Sequence, residues 1–145
     1  MKLTSAAFVN NGLIPSEFTC DGSDTSPPLA ISEVPKNAKS LALIMDDPDA
    51  PIGIFVHWVV WNIPPDIREI RKGAEPSGVQ GKTDFRKSGY GGPCPPSGIH
   101  RYFFKLYALD TLLDLPEGLS KKDVEKAMQG HIIEKAELVS TYKRR

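Results

Sequence analysis

No stretch of this chain runs far before it meets a proline or a glycine. The 13 prolines and 12 glycines are spread along all 145 residues, and the apolar runs between them are short. Proline fixes φ and removes a backbone donor, so it breaks helix interiors and central strands alike. Punctuation this dense excludes a helical bundle and suits a mostly β domain of short strands joined by long structured loops.

Between the breaks, three stretches read as strong strands. SLALIMDD, Ser40 to Asp47, is almost continuously apolar, the pattern of a central strand covered on both faces. FVHWVVWNIP follows after the short loop PDAPIGI, which makes the two runs antiparallel neighbours. Strict alternation there places His57, Val59, Trp61 and Ile63 on one face and Val56, Trp58, Val60 and Asn62 on the other. In HRYFFKLYALD, His100, Tyr102, Phe104, Leu106 and Ala108 share a face opposite Arg101, Phe103, Lys105, Tyr107 and Leu109. Lys2 to Val9 reads as a first strand and Glu137 to Tyr142 as a last one. The long Asn10–Leu29 segment is too irregular for helix, and its Leu13, Ile14, Phe18 and Leu29 favour a packed loop. Pro64 to Gly81 is turn-rich with a weak helical patch, and SKKDVEKAMQ is a helix with Ser120 as N-cap and Asp123 in its first turn.

The length fits one domain, residues 1–145, able to bury its own core. Acidic and basic residues balance at 18 each, so no bulk field draws the chain to nucleic acid or an anionic membrane. The basic end, Lys143 to Arg145, reads as a solvated tail. No apolar run is long enough to span a bilayer, and the N-terminus lacks the apolar region of a signal peptide. The expectation is a cytoplasmic protein, not integral to a membrane. Cys20 and Cys94 lack CxxC spacing and cannot form a structural zinc site alone. In a cytosolic chain the default is two reduced thiols, a disulfide becomes plausible in a hyperthermophile, and the sequence does not choose between them.

The chemistry-bearing residues cluster beside rigid loops. Asp47 and Asp49 lie in DPDAP; His57 sits among Trp58 and Trp61; His100 and Tyr102 follow the glycine- and proline-rich loop GYGGPCPPSG. Gly91 and Gly92 offer conformational freedom there, and Pro93, Pro95 and Pro96 stiffen the loop. Each also has a plain structural reading: Asp-Pro is turn text, a strand histidine is often a satisfied core residue, and His131 falls at a helix end. Arg101 faces away from His100 and Tyr102, and pairing with Asp49 would let it hold two loops together. Two functional arrangements compete. One is a small anion pocket in which both imidazoles, the phenol and the glycine N–H groups donate to phosphate oxygens, with Asp47 favouring a nearby amine. The other is a hydrolytic metal site of two His and one or two Asp, which no HxxxH, HxH or HExxH spacing supports. The anion pocket is the preferred reading, with no cofactor.

Four ordered segments resemble the phosphatidylethanolamine-binding protein family, in its prokaryotic, Raf kinase inhibitor-like branch: DPDAP with HWVVWNIP, GYGGPCPPSGIHRYFFKLYALD, IPSEFTCDGSDTSPPL and AMQGHIIEKAELVSTYKR. The resemblance implies a large antiparallel central sheet packed with a smaller sheet, and short helices near the C-terminus. It implies a ligand site lined by Asp47, Pro51, His57, Gly92, Pro93, His100 and Tyr102. The implied function is non-enzymatic binding of a phosphate-type ligand or phospholipid headgroup, with inhibition of a kinase or serine protease in some members. A small hydrolase using His57, His100 and Asp47 is the alternative, and family precedent also suggests a homodimer. Ile31 and Thr83 depart from the tryptophan and asparagine usual in this branch, with expected effects on packing, and the longer C-terminal helix of animal relatives has no clear counterpart.

Overall fold

The computed structural model describes residues 1–144; Arg145, at the end of the basic tail, lies outside the described residues. Three long antiparallel strands form the frame: β4 (Ser40–Asp47), β5 (Phe55–Ile63) and β8 (His100–Leu109), numbered in chain order. The last strand, β9 (Ile132–Tyr142), extends the sheet beyond β8 and is longer than the expected Glu137–Tyr142. The short β2 (Gly12–Leu13) adds in parallel to β9, and β7 (Val79–Gln80) closes the other edge, giving the six-stranded order β2-β9-β8-β4-β5-β7. A second, three-stranded sheet has the order β1-β3-β6, from Lys2–Thr4, Leu29–Ser32 and Glu69–Ile70. The mostly β architecture of a large and a small sheet is therefore the one expected.

Every residue of β4 is buried, because strands flank it on both sides and both its faces are covered. Leu41, Leu43 and Met45 pack with Tyr102, Phe104 and Leu106 against Leu3, Leu29, Ile31 and Ile70 of the small sheet. Ala42 and Ile44 point the other way, into a second cluster with Trp61, Tyr107, Val124 and Met128. The last two belong to α1 (Lys121–Met128), where the Asp123 carboxylate accepts the Ser120 N–H at 3.2 Å. A helix this short is not stable alone, and burial of Val124 and Met128, each worth roughly 2 kcal/mol, holds it on the sheet. Asp46, on this face, is buried between Lys105 and Lys121 at 3.0 and 2.9 Å.

Several local expectations change. β1 stops at Thr4, although Phe8 still reaches the core. The weak helical patch between Pro64 and Gly81 is absent; β6 and β7 occupy that stretch with turns between them. In the Asn10–Leu29 loop, Ile14, Phe18 and Leu29 are buried as expected, whereas Leu13 is 69% exposed.

The largest departure is in β5. Met45 pairs with Trp58, but Asp46 pairs with Val56, so His57 is an extra residue in the ladder. This bulge puts His57 beside Trp58 on the small-sheet face instead of with Val59 and Trp61, which pack on the helix side. A second register shift lies between Leu41–Ile63 and Leu43–Val60, with Asn62 at φ 56°. It returns Ile63 to the small-sheet core, while the Asn62 amide pairs with Leu113 N–H and C=O at 2.8 Å each. Simple alternation cannot anticipate either shift.

Candidate functional site

Asp47 ends the β4 face that carries Leu41, Leu43 and Met45, so the pleat aims it toward Tyr102 on the neighbouring strand. It is 3% exposed, and its two oxygens have separate tasks. Oδ1 accepts the Asp49 N–H at 2.7 Å, which folds the DPDAP turn back on itself. Oδ2 accepts the His100 Nδ1–H at 2.7 Å. Since a carboxylate only accepts, this bond assigns the hydrogen to Nδ1 and leaves His100 Nε2 for other partners.

Asp49 anchors the same turn from outside. It accepts the Arg101 N–H and Nε–H at 2.9 Å each, and Nη2–H at 2.8 Å. The guanidinium hydrogen bonds hold the Asp49 pKa down to about 2, against a smaller opposing effect of burial. The pairing anticipated for Arg101 is therefore present, joining the DPDAP turn to the start of β8.

His57, 3% exposed, donates Nδ1–H to the Gly91 carbonyl at 2.7 Å. A carbonyl can only accept, so Nε2 of the neutral ring is a lone-pair acceptor. Burial pushes the His57 pKa below its ordinary value of 6.5, outweighing the Gly91 carbonyl and the Asp47 and Asp24 charges, which pull it up. The surroundings are apolar, as expected, though the rings responsible are not the tryptophans. Phe55, Phe85 and Tyr102 stand edge-on to His57 with centroids 5.1, 5.2 and 5.2 Å away, while Trp58 packs on Tyr90.

Tyr102 lies between the histidines, 5.2 Å from the His57 ring and 6.5 Å from His100. Its buried hydroxyl makes no hydrogen bond of normal geometry. Burial, and then the charges of Asp47 and Asp49, push its pKa up, with the Cys94 backbone pulling weakly the other way. The hydroxyl is thus a protonated donor awaiting an acceptor.

These groups meet in a cavity of about 550 Å³ lined by Asp47, Pro51, His57, His100 and Tyr102. Gly92 and Pro93 do not line it; the neighbouring Cys94, Pro95 and Pro96 do. Nor do the glycine amides face a ligand, because Gly91 N–H donates to His57 C=O at 3.0 Å and Gly92 N–H to Asp24 Oδ1 at 2.8 Å. Both glycines are required for space instead of for a special φ. A Cβ on Gly91 would sit 2.3 Å from the Phe85 ring, and one on Gly92 would sit 2.2 Å from the Phe18 carbonyl oxygen. Among the described residues, no group of three or more His, Cys, Asp and Glu is placed to hold a metal ion.

The loop containing these glycines is fastened to the 16–24 segment. Cys20 and Cys94 form a disulfide with Cα atoms 5.4 Å apart, in place of the reduced thiols expected by default. The two loops are brought together by the fold: Cys20 N–H donates to Pro93 C=O at 3.1 Å, and the Tyr90 hydroxyl to Phe18 C=O at 2.7 Å. His131 is exposed at the helix end and bonds Asp110 at 2.8 Å, away from the cavity.

Sequence reasoning missed Asp84 and Phe85, which line the cavity from the turn after β7, and the apolar Ile52 and Ile54 of the PDAPIGI loop. The signal for the turn was the KTDF text itself. Buried Thr83 accepts the Phe85 N–H and donates to Lys87 C=O at 3.0 Å, an arrangement that delivers Asp84 and Phe85 to the site. Asp84 Oδ2 in turn accepts the Val56 N–H at 2.7 Å, tying this turn to the strand that carries His57. Ile31, the other departure, is a 2% exposed core residue paired with Leu3.

Residues 4–143 match the family model described as phosphatidylethanolamine-binding protein. A UPF0098 protein of Methanothermobacter thermautotrophicus is 53% identical, with 99% of each chain covered. The crystal structure of a phosphatidylethanolamine-binding protein homologue from Chlamydia trachomatis superposes with a TM-score of 0.97 at 44% identity, covering 99% of this chain and 97% of that one. An E. coli member of the same family matches with a TM-score of 0.92 at 32% identity, covering 99% and 98%.

Proposed function

The chain belongs to the phosphatidylethanolamine-binding protein family, and from that premise we propose that it is a non-enzymatic binding protein whose ligand is a phosphate-type anion or a phospholipid headgroup. One observation carries the reading. His57 and His100 each spend Nδ1 on a protein acceptor and keep Nε2, and between them the buried Tyr102 hydroxyl donates to no protein acceptor. Groups fixed this way are set to meet a small polar ligand with little reorganisation. Inhibition of a kinase or serine protease would then be a surface property of the cavity rim, needing no bond cleavage.

The His100–Asp47 pair is the one feature that favours the hydrolase alternative, since an imidazole oriented by a carboxylate can act as a general base. Calorimetric titration with phosphate and O-phosphorylethanolamine, beside a phosphoester turnover assay, separates the two. The binding reading expects saturable heat that is lost in His100→Ala and no turnover in either protein. Turnover abolished by His100→Ala would replace it with the hydrolase.

A further inference from the structure

We propose that the outer side of the 82–88 turn is a second, separate anion site, which takes a dianionic phosphate group on a small hydroxylated molecule of the sugar-phosphate type. A recess of about 430 Å³ lies there, walled by Gln80, Lys82, Arg86, Lys87, Ser88 and Glu117. It shares no wall residue with the cavity of Asp47, His57, His100 and Tyr102, so the inference stands or falls independently of the function proposed for that cavity. The turn serves both: Asp84 and Phe85 line the first cavity, and the next two residues, Arg86 and Lys87, line the second.

The charge inventory points to the ligand. Three cations stand against one carboxylate on these walls, a balance of two positive charges. Among the described residues, no ion pair joins Lys82, Arg86 or Lys87 to a carboxylate, whereas the exposed Lys72 and Arg101 are held by Glu17 and Asp49. Gathering unpaired like charges around one recess is unfavourable until an anion enters, and a phosphate dianion matches the balance. Arginine and lysine are also the side chains that grip phosphate, by a planar fork and by a point charge.

Two features separate this recess from an ordinary solvated basic face. The first is Gln80, on the edge strand β7, whose C=O accepts the Gly118 N–H at 3.1 Å. Its side-chain amide is buried, with neither Nε2 nor Oε1 hydrogen-bonded. A buried amide left unpaired is costly, and a solvated face has no need of one. Here Nε2 can donate to a phosphate oxygen and Oε1 can accept a hydroxyl.

The second is how firmly the turn is closed. Lys82 and Ser88 form a β-bridge, and Thr83 donates both its N–H and its hydroxyl to Lys87 C=O at 2.9 and 3.0 Å. Arg86 N–H donates to Thr83 C=O at 3.0 Å with Arg86 at φ 63°, a conformation that a non-glycine residue keeps only where its surroundings impose it. Neighbouring cations are thereby set on one rim by the backbone, which lowers the cost of ordering them on a ligand. No apolar side chain lines the recess, and Ser88 and Glu117 suit the hydroxyls of a sugar.

Calorimetry in a His100→Ala background, where the first cavity is disabled, tests this at about pH 8, at which a phosphomonoester is a dianion. Glucose 6-phosphate is the probe; glucose 6-sulfate carries the same sugar with one charge, and phenyl phosphate carries two charges without the sugar. The proposal expects saturable binding of glucose 6-phosphate, at least about fivefold tighter than either comparator. Adding Arg86→Gln and Lys87→Gln, exposed positions where the fold tolerates change, should weaken it at least about tenfold. In nitrogen–proton NMR of the wild-type protein, the Gln80 side-chain amide should shift with glucose 6-phosphate. No binding in His100→Ala, equal binding of a comparator, affinity untouched by the Arg86 and Lys87 substitutions, or an unmoved Gln80 amide at saturation would each overturn the inference. None of these results bears on whether phosphate binding by the wild-type protein is lost in His100→Ala, which is the test of the first cavity.

Discussion

His100 and Asp47, 53 residues apart in the chain, are buried together with Nδ1–H donated to Oδ2 at 2.7 Å. The bond crosses from the end of β4 to the start of β8, so one contact ties the ends of two neighbouring central strands and also orients a ring at the cavity floor. Asp47→Asn keeps the shape and removes the charge. It is expected to lower stability by roughly 2 kcal/mol, the scale of a hydrogen bond to a charged group, and to weaken anion binding through misorientation of His100. Denaturant unfolding and calorimetry on the same preparation check both. Unchanged values in each would deny the pair any role.

The Arg101–Asp49 pair is exposed, so its signature is a pH dependence more than a large energy. Asp49 has a folded pKa of about 2 against 3.8 ordinarily. Its contribution is therefore fully present above 3.8 and is lost as pH falls through about 2. Arg101→Ala should abolish that part of the acid limb, measured as the difference between wild-type and variant unfolding curves. A difference that does not shrink toward low pH would contradict the assignment.

His57 acts in a higher window. Its folded pKa lies below the 6.5 of the unfolded chain, so the unfolded state takes up a proton first as the solution is acidified. The benefit of keeping it neutral is present above 6.5 and is lost as pH falls through the depressed folded value. His57→Asn, whose Nδ2 takes the place of Nδ1 as donor to Gly91 C=O, should flatten the pH dependence that begins at 6.5. A wild-type His57 resonance titrating at or above 6.5 would refute this.

The disulfide closes a chain separation of 74 residues. Removing it as Cys20→Ser with Cys94→Ser should destabilise the fold by about 2–4 kcal/mol, read as a lower denaturant midpoint. Gly92→Ala should cost roughly 1–3 kcal/mol by overpacking, since the added methyl meets the Phe18 carbonyl and Asp24 Oδ1 at 2.2 and 2.4 Å. Near-neutral effects would mean that the 16–24 and 90–96 segments are less tightly clamped than described.

What could be read in the sequence follows from how local each pattern is. β4 and β8 were legible because an unbroken apolar run and a clean alternation report burial directly, and Arg101 could be assigned to Asp49 because parity placed it opposite His100. His57 was singled out but put on the wrong face, because its bulge is defined by pairing with Met45 and Asp46 and not by its own neighbours. Ser120 and Asp123 announced the helix start by local spacing. Asp84, Phe85 and the Cys20–Cys94 bond were not legible, since each depends on which loops the sheets bring together. Gly92 and Pro93 came from motif resemblance; the cavity wall instead begins with the next residue, Cys94.

The most direct test is histidine side-chain nitrogen NMR during titration with inorganic phosphate. The account predicts that Nε2 of His57 and of His100 shift with ligand while both Nδ1 resonances keep their hydrogen-bonded signatures, and that His131 does not respond. Saturable binding that leaves both Nε2 resonances unmoved would place the ligand elsewhere and contradict the site.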